Sequence, residues 1–65
     1  MELTKEQKEK MINRRLEEYR TKIFSLEMDL NALTAIGDEE GIKTTNQRIE
    51  SLRKATKAIE EMKEA

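Results

Sequence analysis

The chain contains no cysteine, no histidine and no proline, and only two glycines and two aromatic residues. Each absence removes a class of protein. Without cysteine there is no disulfide to brace a small fold. Without histidine the usual zinc and di-iron ligand sets cannot be assembled, so neither a metal nor a cofactor is expected. The commonest general base and the strongest nucleophile are missing together, which argues against an enzyme and leaves no candidate catalytic residue. The two glycines, Gly37 and Gly41, stand four apart beside Asp38, Glu39 and Glu40. An acidic turn of that kind repels phosphate and is no nucleotide-binding loop.

Two further features are scarce. No apolar run approaches the roughly 18–20 residues of a membrane span, and no apolar segment of leader type follows Met1. With no cysteine either, the expectation is a soluble, cytoplasmic protein with no membrane contact. Blocks of one charge are also missing. The 13 basic and 14 acidic residues alternate and leave a net charge of −1, so general attraction to a polyanion is not expected.

What is present is a stripe. Ile12, Leu16, Tyr19, Ile23, Leu26, Leu30 and Leu33 follow one another in alternating steps of four and three. Leu16, Ile23 and Leu30 take heptad position a; Ile12, Tyr19, Leu26 and Leu33 take d. Such a repeat puts one narrow apolar seam along a helix and calls for a second helix to cover it. Thr4 and Gln7 have capping-box spacing, so the first helix is expected over about residues 4–36, with residues 1–10 a polar overhang.

Gly37-Asp38 is the one strong break. Glycine accepts the left-handed conformation that ends a helix, and Asp38 can cap the next one, with Glu39 and Glu40 favourable in its first turn. The second helix is therefore expected over about 39–63. A rival start at Thr44, with Gln47 completing another capping box, would leave residues 37–43 as a loop. The second stripe is Ile42, Thr45, Ile49, Leu52, Ala55/Thr56, Ile59 and Met62. It favours the earlier start, although Gly41 sits awkwardly in a first helical turn.

Folded at residues 37–38, the two stripes face each other with residue numbers that sum to about 75, as an antiparallel pair joined by a short turn requires. Leu26 then meets Ile49, Ile23 meets Leu52, Leu16 meets Ile59, and Tyr19 finds room opposite Ala55/Thr56. The expected fold is an all-α antiparallel two-helix hairpin forming a single domain over residues 1–65. Ile12, Leu16, Tyr19, Ile23, Leu26, Leu30, Leu33, Ile42, Ile49, Leu52, Ile59 and Met62 are expected to hold it together. Below roughly 70–80 residues one core seldom supplies more than about 3–5 kcal/mol. Self-association, as a homodimer forming a four-helix bundle, is therefore expected as well.

Three residues stand off the seam as candidates for a protein interface: Phe24 and Met28 on the first helix, and Ala58 on the second. A helical interaction protein that binds a larger partner, as an adaptor or inhibitor does, is the expected function. A second possibility is nucleic acid. Arg20, Phe24, Arg53 and Lys57 should project from one broad side, where cations meet phosphates and a ring stacks on a base. Glu17, Glu27 and Glu50 beside them weaken that reading. In length and plan the hairpin resembles Rop-type plasmid copy-number regulators. That resemblance implies a dimeric bundle that binds RNA loops, and with no shared motif it assigns no residue a role.

Overall fold

The computed structural model describes residues 2–64. Two helices make up almost all of it: α1 over Lys5–Ile36 and α2 over Glu39–Glu61, followed by one tighter 3-10 turn, Met62–Glu64. They lie side by side and antiparallel in a body 52 × 17 × 15 Å across. The all-helical hairpin expected from the two stripes is what the structure shows.

Both ends of α1 are fixed by local chemistry. At its start the Thr4 hydroxyl accepts from the Gln7 N–H at 3.1 Å, while the Gln7 side-chain oxygen accepts from the Thr4 N–H at 2.8 Å. Two N–H groups that a helix leaves unpaired are thereby satisfied. At its end Gly37 takes φ 71° and ψ 28°. Its N–H donates to the Thr34 carbonyl at 3.2 Å, and the Asp38 N–H donates back to the Leu33 carbonyl at 3.0 Å. This double return is a Schellman motif, and it needs a left-handed residue at Gly37.

Asp38 closes one helix and opens the other. Its carboxylate accepts from the Gly41 N–H at 3.0 Å, so α2 begins at Glu39 and the rival start at Thr44 is not used. The same geometry explains Gly41. A Cβ there would lie 2.6 Å from the Asp38 carboxylate and 3.1 Å from a Leu33 methyl. Close approach of α1, together with the cap, requires the missing side chain.

The seam runs as expected, with one end different. Leu16 is 1% exposed and Ile49 6% exposed, and they are the buried apolar side chains among the described residues. Ile12, Tyr19, Ile23, Leu26, Leu30, Leu33, Ile42, Leu52 and Ile59 are half-buried. Leu26 is thus less enclosed than a central seam position suggests, and the best-covered point is Leu16. Thr45 and Thr56, which interrupt the second stripe, are buried. Thr56 satisfies its hydroxyl by donating to the Leu52 carbonyl at 2.8 Å, which leaves its methyl for the seam.

Met62 corrects the expected core. It is 59% exposed: its backbone is still right-handed helical (φ −67°, ψ −23°), but the steps 45, 49, 52, 56, 59 put the next seam position at 63, which leaves Met62 to one side at the free end of the hairpin. The α-helix itself ends at Glu61, and the 3-10 turn carries helical backbone on through Met62–Glu64, in keeping with the expected end near 63. Met62 shares an open cleft with Met11 and Ile12 at the free end of the hairpin without being enclosed by them.

Burial along the seam and space at the turn set the cost of each substitution. Leu16→Ala should cost about 2–5 kcal/mol in thermal unfolding, and Leu26→Ala distinctly less. Equal losses would contradict the burial pattern. At the turn, Gly37→Ala should cost roughly 1–2 kcal/mol through its positive φ alone, since no atom lies within 4 Å of the added carbon. Gly41→Ala should fail to deliver the gain of about 1 kcal/mol that alanine brings to an open helical site. A clear stabilisation by Gly41→Ala would disprove the close approach.

Candidate functional site

A helical hairpin has two broad faces, and here they differ. Successive helical residues turn by about 100°, which assigns each side chain to a face once the seam is known. Arg20, Phe24 and Glu27 of α1 fall on the same side as Asn46, Glu50, Arg53, Lys57 and Glu60 of α2. Two observations fix this face in space. Arg20 reaches across the seam to the Glu60 carboxylate at 3.8 Å. Glu27, Leu30, Asn46, Ile49, Glu50 and Arg53 line one shallow cleft between the helices.

The face therefore brings together Arg20, Phe24, Arg53 and Lys57, the residues singled out for nucleic acid. It also brings four carboxylates among them, Glu17, Glu27, Glu50 and Glu60, since Glu17 stands seven residues before Phe24. Arg20 is engaged by Glu60, and Arg53 shares its cleft with Glu27 and Glu50. The local charge is close to balanced, and such a surface attracts phosphate weakly.

Phe24 is 62% exposed and Met28 is 52% exposed. They stand one turn apart on the outer shoulder of α1, away from the seam. Ala58 is also exposed, but it lies on α2 and turns toward the opposite broad face. The structure thus keeps Phe24 and Met28 together and separates Ala58 from them. Sequence spacing within one helix finds the first pair. The third residue joins them only when the two helices are read without their relative phase.

The opposite face carries a feature that neither stripe announces. An open groove of about 630 Å³ runs between the helices, lined by Lys22, Ser25 and Leu26 from α1 and by Thr44, Gln47, Arg48, Ser51 and Leu52 from α2. Leu26 and Leu52 form its apolar floor and are half-buried. Its two charged residues, Lys22 and Arg48, are both basic. Lys22 also sits over the Tyr19 ring, 5.7 Å from its centre. A signal for the groove exists in the sequence, because Ser25 and Ser51 also sum to about 75, the register of facing residues. It is easily missed, since small polar residues do not mark a stripe.

Chemistry has little to work with on either face. Glu17, Glu18 and Glu27 are exposed. Among the described residues no three acidic side chains converge in a way that could hold a metal ion. The ion pairs within helices, Lys10 with Glu6, Arg15 with Glu18 and Lys54 with Glu50, join side chains more than half exposed. No helix among the described residues is long and apolar enough to cross a membrane. No family model, curated protein or solved structure matches the chain.

Because it joins two exposed side chains, the Arg20–Glu60 pair should contribute at most about 1 kcal/mol. Arg20→Ala should therefore shift the unfolding midpoint only slightly, and progressively less as salt is raised. A large, salt-insensitive loss would show that Arg20 anchors the two helices.

Proposed function

We propose that the chain is a small, non-enzymatic helical interaction protein that acts by binding a larger protein, in the manner of an adaptor or inhibitor. The observation that carries this reading is the Phe24–Met28 pair. Two large apolar side chains stand exposed, one turn apart, on a helix held in place by a capped and tightly turned hairpin. A rigid helix presenting an aromatic anchor beside an adaptable thioether is a common mode of docking into a partner's groove. Ala58, on the other helix and the other face, is a lesser candidate for a separate contact. A cytoplasmic location belongs to the same proposal, and the lack of cysteine fits it.

A second reading is a Rop-like dimeric bundle that binds RNA or DNA. It is favoured by the placement of Arg20, Phe24, Arg53 and Lys57 on one face, and weakened by Glu27, Glu50 and Glu60 beside them. One experiment separates the two. Wild-type chain and the Phe24→Ala/Met28→Ala variant are used as bait in lysate of the native host, before and after nuclease treatment. The protein-binding reading expects a partner that survives nuclease and is lost with the double variant. Both positions are exposed, so the variant should stay within about 0.5 kcal/mol of the wild-type stability. Retention that disappears with nuclease, with Arg53→Glu and with rising salt would overturn it in favour of nucleic acid.

A further inference from the structure

We infer that the face bearing the Leu26–Leu52 groove is where a second copy of this chain packs, and that the Phe24–Met28 shoulder stays free in the resulting dimer. Surface area is the first support. A folded monomer of 7.6 kDa is expected to expose about 4,300 Å². This chain exposes 5594 Å², an excess of about 1,300 Å² over that scaling. Its radius of gyration is 15.5 Å, where a compact chain of this length would have about 11 Å. The excess belongs to a rod that has formed one helix–helix seam and no second layer. Covering it on each of two copies would remove about 2,600 Å² in total, inside the range of roughly 2,000–5,000 Å² buried by obligate homodimers.

Helical phase selects the face. The two buried apolar residues, Leu16 and Ile49, lean toward the Arg20–Glu60 side of the seam. Tyr19, Leu26 and Leu33 of α1 and Leu52, Ala55 and Ile59 of α2 lean the other way, and all six are half-buried. They set a row of apolar side chains along the groove face, flanked by Lys22, Ser25, Arg48 and Ser51. Met11 and Met62 extend it at the free end, 60% and 59% exposed. The Arg20 face is less apolar: Ile23, Leu30 and Ile42 lean toward it half-buried, but its cleft sets Glu27, Asn46, Glu50 and Arg53 around Leu30 and Ile49. A second hairpin laid on the groove face closes a four-helix layer, which turns half-buried seam residues into core. The like charges of Lys22 and Arg48 at the groove edge favour a register in which Glu18 or Asp29 of the second copy lies nearby, since both acids fall on this face.

This dimer is independent of the Phe24–Met28 reading, and the two fail separately. Because the chain has no cysteine, single thiols can be placed at will. Ser51→Cys puts a thiol in the groove and Met28→Cys puts one on the free shoulder. Both native side chains are exposed, so neither change removes a core contact. The alkylation rate of each variant with a bulky maleimide is measured from about 1 µM to 1 mM, alongside the wild-type melting temperature over the same range. The dimer predicts a melting temperature that climbs with concentration. It also predicts that the groove thiol reacts at least tenfold more slowly at the high end, while the shoulder thiol reacts at an unchanged rate. A concentration-independent melt overturns the dimer. Protection of the shoulder thiol in place of the groove thiol overturns the face. Equal protection of both overturns the free shoulder.

Discussion

Everything in this protein depends on one left-handed residue. Gly37 turns the chain so that the N–H groups of Gly37 and Asp38 return to the last carbonyls of α1, and Asp38 at once caps α2. A connection of two residues fixes the direction of the second helix, its distance and its register. Without that reversal the apolar stripe of α1 would have no partner within its own chain. Gly41 belongs to the same device: its bare Cα lets Leu33 close over the first turn of α2 while the Asp38 carboxylate stays in place.

Past the turn, the seam is thin. Among the described residues, two buried apolar side chains and two buried threonines are joined by a row of half-buried side chains. A seam of this kind aligns helices well but leaves much of their apolar surface in contact with water. The consequence is an asymmetric rod. One face is charge-balanced, crossed by the Arg20–Glu60 pair; the other opens onto Leu26 and Leu52, with Ser25, Thr44, Gln47 and Ser51 around them and Lys22 and Arg48 as its charged residues. The shoulder with Phe24 and Met28 belongs to neither interior. One molecule therefore presents three distinct surfaces: a charge-balanced face, a groove face and an exposed apolar shoulder.

Much of the fold is legible in the sequence because local rules and the apolar pattern agree. Thr4 with Gln7, Gly37 with Asp38, and the seven-residue stripe each name their element without help from the rest. The features that stay hidden depend on both helices at once. Thr45 and Thr56 look like gaps in a stripe, yet they are buried because the facing residues cover them and a threonine hydroxyl can bond within its own helix. Met62 looks like the end of the core, yet the four-three register of the second stripe passes through position 63 and leaves it exposed. Leu26 looks central, yet it borders an open groove whose other wall comes from α2. The candidate residues divide in the same way. Phe24 and Met28 share one helix and stay together; Ala58 comes from the other helix and falls on the other side.

The most direct test of the reversal at Gly37 is a distance. Glu9 and Lys63 line the same cleft at the free end of the hairpin. Spin labels at Glu9→Cys and Lys63→Cys, diluted into unlabelled protein, report their separation by pulsed electron resonance. The hairpin predicts a single short distance, within about 20 Å for neighbouring helices carrying labels. A continuous helix through residue 37 would hold them about 80 Å apart, and that result would contradict the account.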